Sequence, residues 1–434
     1  MKKLTLIIAL FFLMNGYAGT LSLLECYKKA ENHHPLQKEI TARQQIEKLN
    51  RGNLNAGWLP AVHLNAGFNY MSDVAEFGHV FSSTPLSLAG ISLPDMPKDQ
   101  YKATIDIRQT VFDGGAICAG KKLERASMET DLQSIQTEIY SIRDQINQLY
   151  FSILVQDQNN KLIFLLRDEV QQRRASLLSA LQNGIVLPGD VDILDAELLK
   201  LDQQIIELDL NRKKAVASLE IILGEKIGSR TLCLPAIEIP GDSTISRHEL
   251  ELFTTQSIRL EMNKKTINAA RVPKLFLYAS YGYSSPPGND FFNDQFDTYY
   301  TFGAGLSWNI FDWNITGRAK KSLGEQQNRI EARRDAFNRK MTMALKNQSG
   351  EIEKLEQLIH TDEKLISLRH DITMAAASRL DNGVISSTDY LSELNAEHRV
   401  RISAELHKIR LIMAKVVFLT LSGKIDEQLA GTVK

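Results

Sequence analysis

The sequence predicts a mostly α-helical chain that also lends a few strands to a membrane β-barrel, with one structural unit written twice. Three observations carry this. Landmark residues recur at one fixed spacing, short runs alternate strictly between apolar and polar residues, and long proline-free stretches space their apolar residues by three and four.

The chain starts MKKLTLIIALFFLMNGYAGT. Lys2 and Lys3 form a basic beginning, Leu4 to Met14 an apolar stretch, and Gly16-Tyr17-Ala18 a small-x-small cleavage site. This is the pattern of a secretory signal peptide over residues 1–18, and eleven apolar residues are too few to span a bilayer. Without it the chain carries 49 basic and 52 acidic residues, so nothing in the charge balance points to nucleic acid. No later stretch is long and apolar enough for a transmembrane helix. Cys26, Cys118 and Cys233 are far apart, with no CxxC pair, which indicates neither a disulfide framework nor a zinc site. Glu25 before Cys26 argues against a lipidated cysteine there.

Phe112-Asp113 recurs as Phe311-Asp312, Asn183-Gly184 as Asn382-Gly383, and Asp190 as Asp389, each 199 residues on. Pro60 and Pro273 are 213 apart, so the first copy holds about fourteen extra residues, within 71–100. The division expected is a first repeat at 19–224, a linker at 225–245, a second repeat at 246–423 and a tail at 424–434.

Each copy reads helix, strand, loop, strand, long helix, turn, helix. In the first, Val62, Leu64, Ala66, Phe68 and Tyr70 alternate with polar residues, as do Tyr101, Ala103, Ile105, Ile107 and Val111. In the second, Tyr300, Phe302, Ala304, Leu306, Trp308 and Ile310 predict a strand over 300–311, while KLFLYASYGY (274–283) alternates less cleanly. Such strands have one greasy and one wet face. Beyond them Leu132, Ile135, Ile139, Ile142, Ile146, Leu149 and Ile153 keep coiled-coil spacing, and so do Val191, Leu194, Leu198, Leu201, Ile205 and Leu208. No proline interrupts 114–182, where a continuous helix would rise roughly 100 Å at about 1.5 Å per residue.

Four strands of about ten residues fit a tilted membrane crossing, yet four cannot close in lipid, because edge groups would lack partners. Closure takes about eight strands or more, so several chains must share one barrel; three give about twelve strands. The competing reading is a soluble sheet on a periplasmic coiled-coil scaffold without a channel.

The doubled unit, Pro60 and Pro273 before the first strand of each copy, Phe112-Asp113-Gly114-Gly115, and the segments NGIVLPGDVDILDAE (183–197) and NGVISSTDYLSELNAE (382–397) resemble the TolC-like outer-membrane efflux proteins over nearly the whole chain. The resemblance implies a homotrimer with a twelve-stranded outer-membrane barrel and an α-helical barrel reaching into the periplasm of a Gram-negative cell. It implies the exit channel of a tripartite efflux or type I secretion system. A periplasmic adaptor would dock at the hairpin tips, linked to an inner-membrane transporter of RND, ABC or MFS type.

At the strand–helix junctions, Phe112 and Phe311 suit a membrane interface, and Asp113 and Asp312 suit the N-cap of helices starting at 114 and 313. Gly114 and Gly115 permit a sharp backbone turn; Trp313 and Asn314 stand there in the second copy, where that argument is weaker. At the tips, Asn183-Gly184 and Asn382-Gly383 read as helix stops. Asp190 and Asp389, supported by Asp192 and Asp195, are candidates for acidic rings at the tunnel mouth or, equally, acids stabilising helix N-termini. Ile185 and Val186, with Val384 and Ile385, form an apolar knob suited to adaptor docking. The family's basic residue two positions past the tip glycine is absent, since Val186 and Ile385 stand there. No GxSxG, HExxH or phosphate loop occurs, so neither enzyme nor cofactor is expected.

Overall fold

The computed structural model describes residues 19–74, 96–184, 186–228, 230–240, 244–290 and 293–431. The expected signal peptide and much of the first copy's extra loop lie outside them. Among the described residues the chain order is β1 (Thr20–Leu21), α1 (Leu23–His33), α2 (Gln37–Ala56), β2 (Ala61–Tyr70), β3 (Asp99–Phe112), α3 (Ala116–Gln182) and α4 (Pro188–Leu223). Then follow β4 (Thr231–Leu232), α5 (His248–Ala269), β5 (Lys274–Ser285), β6 (Asp297–Ser307), α6 (Ile315–Asp381), α7 (Ser387–Ser422) and α8 (Ile425–Gly431). The duplication is literal: α3 and α6 each have 67 residues, α4 and α7 each have 36. No described helix is long and apolar enough to cross a membrane.

The chain divides into two compact units. One comprises residues 1–40, 133–252 and 333–434, the other 41–132 and 253–332. Both long helices contribute to both units.

In the first unit, the three-and-four spacing is what buries α3 and α4. Ile135, Ile139, Ile146, Ile153, Leu194, Leu198 and Leu201 are buried. One core gathers Tyr27, Ile146, Tyr150, Phe151, Leu219 and Leu419. The Tyr150 hydroxyl lies 2.9 Å from the Leu21 carbonyl and 2.6 Å from that of Cys233, joining the parallel β1–β4 pair to α3. Cys26 is wholly buried in this core, and burial pushes its thiol up to about 12; a lipid on that side chain would have no room. A second core, near the hairpin tips, includes Leu166, Val170, Leu194, Tyr390 and Leu394.

A buried cation binds both chain ends into this unit. Arg143 is sandwiched between the rings of Tyr27 and Tyr140, its guanidinium carbon 4.9 Å and 4.4 Å from their centroids. It donates to Glu31 of α1 and to Asp426 of α8, each at 2.9 Å. Neither end of the chain announces this cluster by periodicity, and the sequence reading did not foresee it.

In the second unit the sheet order is β2-β3-β5-β6, all antiparallel, so β3 of one copy pairs with β5 of the other and β2 and β6 remain as edges. β6 ends at Ser307, four residues short of the expected 311, leaving Trp308 to Phe311 in irregular chain that leads to α6. There the Trp308 indole donates to the Arg271 carbonyl at 3.1 Å.

The faces of this sheet are inverted relative to a soluble one. The apolar set is bare: Leu64 is 77% exposed and Phe302 81%. Opposite, Thr104 is buried and Asp106 accepts hydrogen bonds from Asn65 at 2.7 Å and Thr104 at 2.9 Å. The unclean alternation of β5 has a specific cause. Phe276 and Tyr278 lie on the polar face, paired across the strand with Gly305 and Gly303, and Tyr299 of β6 faces Gly282. A Cβ at Gly282 would sit 2.5 Å from the Tyr299 ring, and one at Gly305 would strike Phe276. The rings therefore lie flat over glycine, and Arg108 stacks on Phe276 at 3.7 Å.

Replacing Arg143 by Ala leaves two carboxylates without their shared cation and opens space between two rings. The expected loss is about 3 kcal/mol, read as a lower urea midpoint, and R143K recovers part of it. An unchanged midpoint would remove Arg143 from its central place.

Candidate functional site

The strand–helix junction is built the same way in both copies, and helices start two residues later than expected. Asp113 is buried and accepts from the amides of Gly115 at 2.8 Å and Ile117 at 2.5 Å, capping a helix that begins at Ala116. Asp312 accepts from the Thr316 amide at 3.0 Å and from its hydroxyl at 2.5 Å. Those bonds hold the Asp312 carboxyl below the usual range. Between cap and helix lie two left-handed residues: Gly114 and Gly115 at φ +70° and +85°, Trp313 and Asn314 at φ 51° and 59°. The second copy thus makes the same turn without glycine, correcting the weaker expectation there. Non-glycine residues bear about 1–2 kcal/mol each for that conformation. Trp313 regains some of it by packing edge-on against Phe311, with centroids 4.9 Å apart.

Aromatic residues collect at both ends of the sheet. At the loop end Phe68, Tyr101, Phe296 and Tyr283 form a chain of rings with centroids 4.9, 5.7 and 5.5 Å apart. At the helix end stand Trp58, Phe112, Trp308, Phe311 and Trp313, all exposed. Between the two belts lie Val62, Leu64, Ile105, Ile107, Leu277 and Leu306, also exposed. A ten-residue strand rising about 3.3 Å per residue and tilted about 45° covers roughly 23 Å, close to the height of an apolar barrel band.

Residues 26–225 match the sequence model of the family described as outer membrane efflux protein. Over nearly its whole length the chain superposes on solved outer-membrane channels. The fold is that of these solved outer-membrane channels. With the transmembrane channel CusC it shares 11% identity over 92% of each chain, TM-score 0.69. With VceC, an outer-membrane protein of Vibrio cholerae, it shares 14% over 93% of this chain and 96% of that one, TM-score 0.64. With the open state of the Neisseria gonorrhoeae channel MtrE it shares 12% over 94% and 90%, TM-score 0.63. No curated protein sequence matches the chain. These structural neighbours are channels, not enzymes.

On this fold the tips are two helix hairpins. Gly184 and Gly383 have φ +72° and +69°, and the side chains of Asn183 and Asn382 donate back to the carbonyls of Ser179 and Ser378 at 2.9 and 2.7 Å. The members of the expected apolar knob differ in exposure. Val186 and Ile385 pack half-buried against the tip core, Ile185 lies outside the described residues, and Val384 and Leu187 are the exposed members.

The tip aspartates have local duties. Asp190 accepts from the Leu187 amide at 3.2 Å. Asp389 accepts from the Ser386 hydroxyl at 2.7 Å and amide at 3.1 Å, while the Ser386 hydroxyl accepts from the Asp389 amide, a complete capping box. The hydroxyl above all holds the Asp389 carboxyl below its usual range. Asp195 is not a free charge, because it is paired with Arg174; Asp192 is exposed.

Sequence reasoning missed the ties between the copies. Arg173 of α3 reaches Asp381 at 2.6 Å and lies 4.6 Å over the ring of Tyr390 in α7. His398 of α7 meets Glu169 of α3 at 3.0 Å. These partners are more than 200 residues apart, so no spacing rule announces them.

Gly114→Ala is expected to cost more than Gly115→Ala. Both adopt positive φ, but a Cβ at Gly114 would lie 2.7 Å from Val272, whereas Gly115 faces open space. The difference should be about 1 kcal/mol or more in thermal unfolding, and equal costs would refute the crowding argument. For Asp389, a depressed carboxyl contributes stability above the ordinary aspartate range near pH 4 and loses it as pH falls through its own lower value. Hydrogen exchange at residues 387–390, corrected for intrinsic rates, should therefore quicken below pH 4 in the native chain. In D389N that pH step should vanish.

Proposed function

We propose that three copies of this chain close one outer-membrane barrel and serve as the exit conduit of a tripartite efflux or type I secretion system. The observation that carries the reading is the sheet: bare apolar outer face, polar inner face, two aromatic belts and two unpaired edges. In lipid each unpaired edge group costs several kcal/mol, and pairing β2 of one copy with β6 of the next removes both edges at once.

The helices carry a matching need. Leu358, Leu365 and Ile372 of α6 recur every seven residues and are exposed, as are Leu199, Ile206 and Leu210 of α4. Two apolar stripes on helices whose other faces are already packed suit neighbouring copies in an α-helical barrel. The coiled-coil scaffold reading accounts for the stripes but not for the belted sheet.

In this assembly Asp190 and Asp389, with Asp192 beside them, form acidic rings around the tunnel mouth, while Asp195 stays neutralised by Arg174. A shallow groove between α6 and α7, lined by Ala375, Ala376, Arg379, Ile385, Asp389 and Ser392, is where a periplasmic adaptor's helices dock. An inner-membrane transporter behind the adaptor supplies the energy, and this chain transports passively without a cofactor.

Light scattering of the detergent-purified protein should give three chains per particle, recovered from the outer-membrane fraction. L365E and I372E together should shift it toward monomers. A native protein that is monomeric in detergent, or soluble without it, would end the shared-barrel proposal.

A further inference from the structure

Charge is distributed unequally between the two ends of the sheet. In the four segments that meet its helix end (51–60, 113–122, 264–274 and 312–321) there are ten basic residues and two acidic ones. In the described segments at its loop end (71–74, 96–100, 286–290 and 293–297) there are five acidic residues and one basic. The two acids at the helix end are Asp113 and Asp312, already committed to capping helices.

Within this basic end one feature is repeated. Lys121-Lys122 in α3 and Lys320-Lys321 in α6 are 199 residues apart, so the duplication places a lysine pair at the same depth in each copy. Lys122 and Lys321 are exposed, Lys121 and Lys320 half-exposed, and none of the four forms an ion pair with a described residue. Arg318 is exposed one turn nearer the sheet, its guanidinium bonded to the Trp313 carbonyl at 3.0 Å.

Depth decides what these cations can reach. Lys122 and Lys321 follow the first residue of their helices by six positions, about 9 Å along the axis. The headgroup layer beyond the hydrocarbon is roughly 5–7 Å thick on each side. A lysine stem of about 6 Å leaning toward the aromatic belt brings its ammonium to the phosphate level. Grease, aromatic ring and cation thus follow one another along each helix start, in the order that a phospholipid leaflet presents tails, interface and phosphate.

We propose that these lysine pairs, with Arg318, form a collar that binds anionic phospholipid headgroups of the inner leaflet of the outer membrane. This rests on the membrane reading above. The occupant is a lipid rather than a soluble anion because the cations adjoin the exposed belt of Phe112, Phe311 and Trp313. Each lysine near a lipid surface contributes about fivefold in affinity for negative charge.

The test compares the full chain with a K121Q/K122Q/K320Q/K321Q variant and its all-arginine counterpart. Detergent-solubilised protein is mixed with equimolar phosphatidylglycerol and phosphatidylethanolamine of the same acyl chains, and retained lipid is counted by native mass spectrometry. A separate arm offers glycerol phosphate alone. The native protein should retain phosphatidylglycerol at least about fivefold over phosphatidylethanolamine; the glutamine variant should lose that preference and the arginine variant keep it. Equal retention of both lipids, an unchanged preference in the glutamine variant, or glycerol phosphate binding as well as the lipid would overturn the proposal. Insertion into liposomes of mixed phosphatidylethanolamine and phosphatidylglycerol separates the two readings. Insertion without a headgroup preference sinks the collar only, whereas failure to insert sinks the channel as well.

Discussion

Among the described residues the sheet stays open at both edges. Four antiparallel strands leave β2 and β6 with a free edge each and leave Leu64, Tyr300 and Phe302 bare on the outer side. Water could solvate the edges but not the face; lipid could solvate the face but not the edges. Partner strands in a lipid setting satisfy both demands together, and the remaining features follow from that. The polar groups gather on the opposite face, around Asp106, Asn65 and Thr104, and the aromatic rings gather at the two ends.

The helical part obeys a different requirement. In the proposed assembly a long helix needs one stripe for its own chain and a second for its neighbours, and α4 carries apolar residues on two lines. The buried line of α4 runs through Val191, Leu194, Leu198 and Leu201, and the exposed one through Leu199, Ile206 and Leu210. Where local demands are strongest the chain uses polar hubs instead: Arg143 gathers α1 and α8 around α3, and Arg173 joins α3 to Asp381.

Much of this was readable from residue order because it depends on period. Alternation by two located β2 and β3 to within two residues, and the 199-residue spacing foretold helices of equal length. Resemblance supplied the expectation of a trimer and of docking tips. What stayed hidden depended on cross-strand or cross-repeat partners. The flat rings of Phe276 and Tyr278 blurred the pattern of β5 because their glycine partners lie on another strand. The early end of β6 was masked by Trp308 and Ile310, which continue the alternation after pairing has stopped. The equivalence of Trp313-Asn314 to Gly114-Gly115 could not be read from side-chain type, since tryptophan is a poor candidate for a left-handed turn.

Equal helices of 67 and 36 residues in each half also limit how such a gene can change. One codon added inside α3 would swing everything beyond it by about 100° and advance it about 1.5 Å, turning its packed line away from the partners it meets in α4 and α7. Length variation in this architecture is therefore tolerated between elements, as in the extra residues after β2. Along the rods it is tolerated only in whole-turn steps, taken by a helix together with the one it folds back on.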